Sequence, residues 1–182
     1  DVALRQGEID ESEAHYRAAL AGLPDGPDTR VAHCLRRLSL LFRRRGDAEE
    51  ELTMLYSALR NLPPHAALEG GHIHLRLGTR HMTMGEIEPA QEHYGIAIEI
   101  AESANHQILT LMVRGQQAFL AGGRGDVTEA MRLGRIQIAE AKRLGDAHTQ
   151  IIILANMALQ VLAEDELALS AALLEECQRV PG

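Results

Sequence analysis

The sequence predicts an all-α fold of about five stacked helix pairs, and three observations predict it. First, a turn signal recurs: Gly7, Gly46, Gly85, Gly125 and Asp165 stand 39, 39, 40 and 40 residues apart. Second, small and large apolar residues return at fixed distances behind each mark, as stacked helical repeats require. Third, Ala and Leu dominate while aromatics make up only 3% and Trp is absent. That composition suits helix packing better than the β-branched and aromatic surfaces of sheets. At 182 residues with 46% apolar content, the chain reads as one domain, 1–182.

The approximate repeats are 1–29, 30–68, 69–103, 104–146 and 147–182. In the first, only six residues precede Gly7, so its leading helix is expected to be truncated, and Pro24 closes the second helix. The second repeat is the clearest. Leu35, Leu38, Leu41 and Phe42 fall at helical spacing and stop at Gly46-Asp47; Leu52, Leu55, Tyr56, Ala58 and Leu59 follow, ended by Pro63. The third echoes it with His74, Leu77, Gly78 and His81, then Ala90, Tyr94 and Ala97. In the fourth, Gly115, Ala118 and Phe119 match when Gly123–Gly125 is a short insertion in the turn. The fifth offers Leu154, Met157, Ala158 and Val161 before Asp165. An acid follows every mark (Glu8, Asp47, Glu86, Asp126, Glu166), where the helix macrodipole favours negative charge. Five residues behind the marks stand Ser12, Ala90, Ala130 and Ser170, all small; Glu51 breaks the rule.

Ser39, Phe42, Gly46, Asp47, Ala58, Leu59 and Pro63, and then Gly78, Gly85, Ala90, Tyr94 and Ala97, carry a pattern that resembles the tetratricopeptide repeat (TPR). The period near 40 exceeds the family's usual value of about 34. It resembles the long-period variant in helical sensor regions of bacterial regulators. The resemblance implies a right-handed superhelical solenoid of about five helix-turn-helix TPR-like repeats, whose first helices line a concave face. Each pair stacks on its neighbours, and with no polar capping helix at the C-terminus the chain reads as a fragment of a longer array.

A net charge of −8 argues against direct nucleic-acid binding, which needs a basic excess. Cys34 and Cys177 have no metal or redox spacing, so they read as small buried residues in a reducing compartment. No apolar run reaches the roughly 18 residues of a membrane span, and no signal-peptide pattern is present. The expectation is a cytoplasmic protein without membrane contact.

Candidate chemistry is sparse. His72, His74 and His81 cluster among nine histidines, yet His74 and His81 occupy the positions of Leu35 and Phe42 in the repeat before, so they belong to the packing face. No third or fourth ligand completes a metal set, and no metal or cofactor is expected. Gly122–Asp126 lacks the Lys and Ser/Thr of a phosphate loop. No serine or cysteine sits in an activated context. The sequence therefore predicts no enzyme.

What remains is the concave face that the resemblance implies. It would carry His33, Arg36, Leu40, Arg43 and Arg44, then His72, Leu75, Thr79 and Met82, then Met112, Gln116 and Phe119, and finally Leu159. This face runs from basic to apolar. The expected function is a non-enzymatic protein- or peptide-binding scaffold, the TPR sensor or interaction region of a bacterial signalling or transcription-regulatory protein. Its partner would present an acidic group to Arg36, Arg43 and Arg44 and an apolar stretch to Met82, Met112 and Phe119. The alternative is a structural module forming homodimers through exposed apolar terminal repeats.

Overall fold

The computed structural model describes residues 2–122 and 126–181. Among these are nine α-helices: α1 (Val2–Ala21), α2 (Thr29–Arg45), α3 (Ala48–Arg60), α4 (Ala67–Thr83), α5 (Ile87–Ser103), α6 (Gln107–Gly122), α7 (Val127–Arg143), α8 (Ala147–Ala163) and α9 (Leu167–Gln178). No strand occurs among the described residues, and the fold is all-helical. None of these helices is long and apolar enough to cross a membrane. The insertion expected at Gly123–Gly125 lies outside the described residues.

Five of the helices, α2, α4, α5, α7 and α8, stop for one recurrent reason. Gly46, Gly85, Asn105, Gly145 and Asp165 all adopt positive φ. The next residue then turns its amide back onto a carbonyl five positions earlier: Asp47 to Phe42, Glu86 to His81, His106 to Ala101, Asp146 to Ala141 and Glu166 to Val161, at 2.8–3.0 Å. This closure satisfies carbonyls that a helix end leaves without partners. The acid after the turn then caps the next helix: Asp47 accepts from the Glu50 amide, Asp126 from Glu129 and Asp146 from Thr149.

Gly7 departs from this rule. It lies inside α1, which runs through it without a turn, and it is not among the positive-φ glycines. A glycine in a helix costs only about 1 kcal/mol, so the first mark is a helical residue and the first repeat contributes one long helix.

The chain forms two compact units, one up to Ile100 and one from Ala101. In the first, Leu38, Leu41 and Phe42 of α2 bury against Ile9, Tyr16 and Leu20 of α1 and Met54 of α3. Ala32, Leu55, Ala58, Ile73 and Leu77 make a second layer. In the second unit Ile138, Ile153, Leu154, Met157, Val161 and Leu173 form the core. Small residues set the approach of the helices. A methyl on Gly78 would stand 2.6 Å from the Tyr94 ring, and one on Gly134 would stand 2.5 Å from the Met157 sulfur. Ala90, Ala130 and Ser170 are buried, and so is Glu51, the residue that breaks the small-residue pattern.

Candidate recognition face

Helices α2 and α4 of the first unit bring together most of the basic residues expected at a recognition face. One end is already neutralised. Arg36 Nε donates to Glu69 Oε1 at 2.5 Å and its Nη2 to Oε2 at 3.3 Å. His33 stands 3.5 Å from the same carboxylate. Burial alone would raise the Glu69 pKa, but the Arg36 hydrogen bond and charge bring it below the usual carboxylate value. Arg36, expected on this face, is therefore already paired within the fold.

Seven residues further along each helix the pairing is lost. Seven after Arg36 comes Arg43, which is exposed; seven after Glu69 comes Arg76, which is half-buried. Where the repeat of the ladder would set an acid, both helices carry arginine. Among the described residues the Arg76 side chain has no hydrogen bond or ion pair. Burial pushes its pKa down to about 10, the Arg43 charge adds to that, Glu51 opposes it, and Arg36 and Arg37 contribute further repulsion.

Behind these guanidinium groups lies the buried Glu51 of α3, 2% exposed. Its Oε2 is 3.7 Å from Arg80 Nε, and both atoms are buried without a hydrogen-bond partner. Burial raises the Glu51 pKa against the pull of Arg80, Arg43 and Arg76. One carboxylate thus faces several arginines. Arg37 donates from Nε to the Tyr16 hydroxyl at 3.2 Å, and Arg44 is exposed at the end of α2.

The other expected lining residues fall in mixed positions. Leu40 and His72 are half-buried and Leu75 is in the core. Thr79 and Met82 are half-buried beside Tyr94, whose hydroxyl donates to Thr79 Oγ1 at 3.4 Å and lies 3.8 Å from the Met82 sulfur. In the second unit Met112, Gln116 and Phe119 are half-buried on α6, while Leu159 on α8 is 57% exposed. Arg76 was absent from the sequence-based set. The 39-residue register gave no signal for it, because it aligns Arg76 with Arg37, which lies outside the expected face.

A second polar cluster sits among α3, α4 and α5. His74 Nδ1 and His93 Nδ1 are 3.0 Å apart. His93 stacks on His81 with ring centroids 5.3 Å apart. His81 contacts Glu86 Oε2 through Nδ1 at 2.5 Å and the Tyr56 hydroxyl through Nε2 at 3.0 Å. Periodicity placed His74 and His81 on the packing face, but it gave no hint of His93. Among the described residues, no group of three or more His, Cys, Asp or Glu side chains is arranged to hold a metal ion. Cys34 and Cys177 are half-buried free thiols, each pushed up in pKa chiefly by burial.

No protein-family model matches the sequence, and no curated protein matches it. Among solved structures it is similar to the crystal structure of BtubC (BKLC) from P. vanneervenii. The TM-score is 0.71 at 19% identity, over 99% of this chain and 76% of that one. At such identity the likeness is one of fold.

Proposed function

We propose that this chain is a non-enzymatic protein- or peptide-binding scaffold of TPR-like repeats, the sensor or interaction region of a bacterial signalling or regulatory protein of the cytoplasm. The recurrent turn closure and the 39–40-residue register support a solenoid of stacked pairs. The observation that carries the recognition reading is the Arg43–Arg76 pair, two guanidinium groups facing a single buried carboxylate. Arginine forks bind carboxylates with two parallel hydrogen bonds, so a peptide with an acidic side chain completes the ladder that Arg36 and Glu69 begin. Leu40, three residues before Arg43 on α2, supplies apolar area beside it.

Fluorescence anisotropy with a labelled peptide that mixes Asp, Glu and Leu tests this reading. Arg76→Glu should weaken binding at least tenfold, which is about 1.4 kcal/mol, and the wild-type affinity should fall with salt. Equal binding of a Lys-for-Asp/Glu peptide, or an unaffected Arg76→Glu variant, overturns the proposal.

A second reading rests on its own observation. Leu159 and Leu162 on α8 and Leu167, Leu169 and Leu174 on α9 are all exposed, several by about half. Such a leucine-rich surface favours self-association of the chain through this end.

A further inference from the structure

The histidine cluster of the first unit takes no part in the recognition face, and its geometry is sensitive to protons. A ring nitrogen either donates or accepts. The 3.0 Å contact between His74 Nδ1 and His93 Nδ1 is therefore a hydrogen bond only while one of those two atoms carries a proton. A first added proton leaves this intact, since an imidazolium Nδ1–H still donates to the other ring. A second added proton sets N–H against N–H and charge against charge.

The surroundings offer little relief. His81 lies stacked on His93 at 5.3 Å and 24°. Its own nitrogens are already engaged, Nδ1 with Glu86 Oε2 at 2.5 Å and Nε2 with the Tyr56 hydroxyl at 3.0 Å. The groups facing the pair are Tyr56 from α3, His74 and His81 from α4, Glu92 and His93 from α5, and Glu86 from the turn before α5. The acid acting on His74 is Glu92.

We propose that the His74–His93 contact is a proton-operated latch between α4 and α5, closed while the pair shares one Nδ1 proton and opened when both rings are charged. Burial, then the charges of His74 and His81, holds the His93 pKa down to about 4, against its ordinary 6.5; burial also lowers His74, against the pull of Glu92. The sign follows from linkage. In the window between those two His93 values the unfolded chain binds more protons than the folded one. The stabilisation is complete above about pH 6.5 and is lost as pH falls toward 4.

The test is hydrogen exchange of the α5 amides in the whole chain at pH 7 and pH 4.5, corrected for intrinsic rates. Helix α9, which has no histidine, reports any general effect of acid. Protection in α5 should fall at least tenfold more than in α9, and His93→Phe should remove the excess. Imidazole NMR titration of the wild type supplies a readout that needs no variant, and His93 should stay neutral to below pH 5. Titration of His93 near 6.5, or an equal loss of protection in α5 and α9, overturns the latch.

Discussion

The two units follow one repeat plan and fill it with different chemistry. Seven of nine histidines, all three tyrosines and most arginines lie before residue 101. The first unit buries Glu51 and His81 and packs a whole tyrosine, Tyr94, against a glycine. The second unit is aliphatic in its core and leaves several leucines and isoleucines exposed. Its buried polar groups are neutral, such as Gln160, which donates to the Phe119 and Ala118 carbonyls, and Ser170, which donates to the Ala158 carbonyl. The difference teaches that a helical repeat constrains residue size at its crossings far more than residue polarity. Charge and rings can then gather in one stretch, and exposed aliphatic side chains in another.

Removing one large, fully buried side chain from each unit gives the strongest break in this comparison. Tyr94→Ala should cost about 3–5 kcal/mol and Leu154→Ala about 2–5 kcal/mol, because both side chains are fully buried. Urea melts followed separately by amide exchange in α4 and α8 should show each loss concentrated in its own unit. A uniform loss from either variant would mean that the units melt as one. A subtler effect attaches to Glu51. Its pKa is raised in the fold, so its ionised form opposes folding at neutral pH. Glu51→Gln should therefore raise Tm at pH 7, with the gain shrinking as pH falls through the Glu51 pKa and the wild-type carboxyl becomes neutral. A lower Tm for the glutamine variant would show that the arginines need the charge. The smallest effect on stability is expected at the exposed leucines. Leu159→Lys with Leu162→Lys should change stability by less than about 0.5 kcal/mol per site. The same double variant should abolish any concentration-dependent rise above 19.9 kDa in light scattering; a dimer that survives it moves the interface elsewhere.

The helix pairs were legible because their turns are chemical events that short sequence records. A positive-φ glycine followed by an acid marks both the end of one helix and the cap of the next, as at Gly46 and Asp47. Gly7 looked the same in sequence, but spacing cannot separate a turning glycine from a helical one. The candidate recognition face was legible only in part. Arg36 and Arg43 are equivalent by periodicity, and what separates them is Glu69, 33 residues from Arg36. That contact depends on how α4 lies against α2, which no local pattern states. His93 was invisible for a related reason, since its meaning comes from two rings on another helix.

The tight fit of Gly78 against Tyr94 has a consequence for how such a chain can change over generations. The tyrosine ring has little room to give, so alanine at position 78 is disfavoured until position 94 has become smaller, and a smaller residue at 94 leaves a void until position 78 has grown. Gly134 and Met157 share the arrangement in milder form, because a thioether can swing aside. Substitutions at 78 and 94 should therefore travel together through a lineage. Those at 134 and 157 should drift more freely, leaving a correlated pair and a loose one in the ancestry of a single protein.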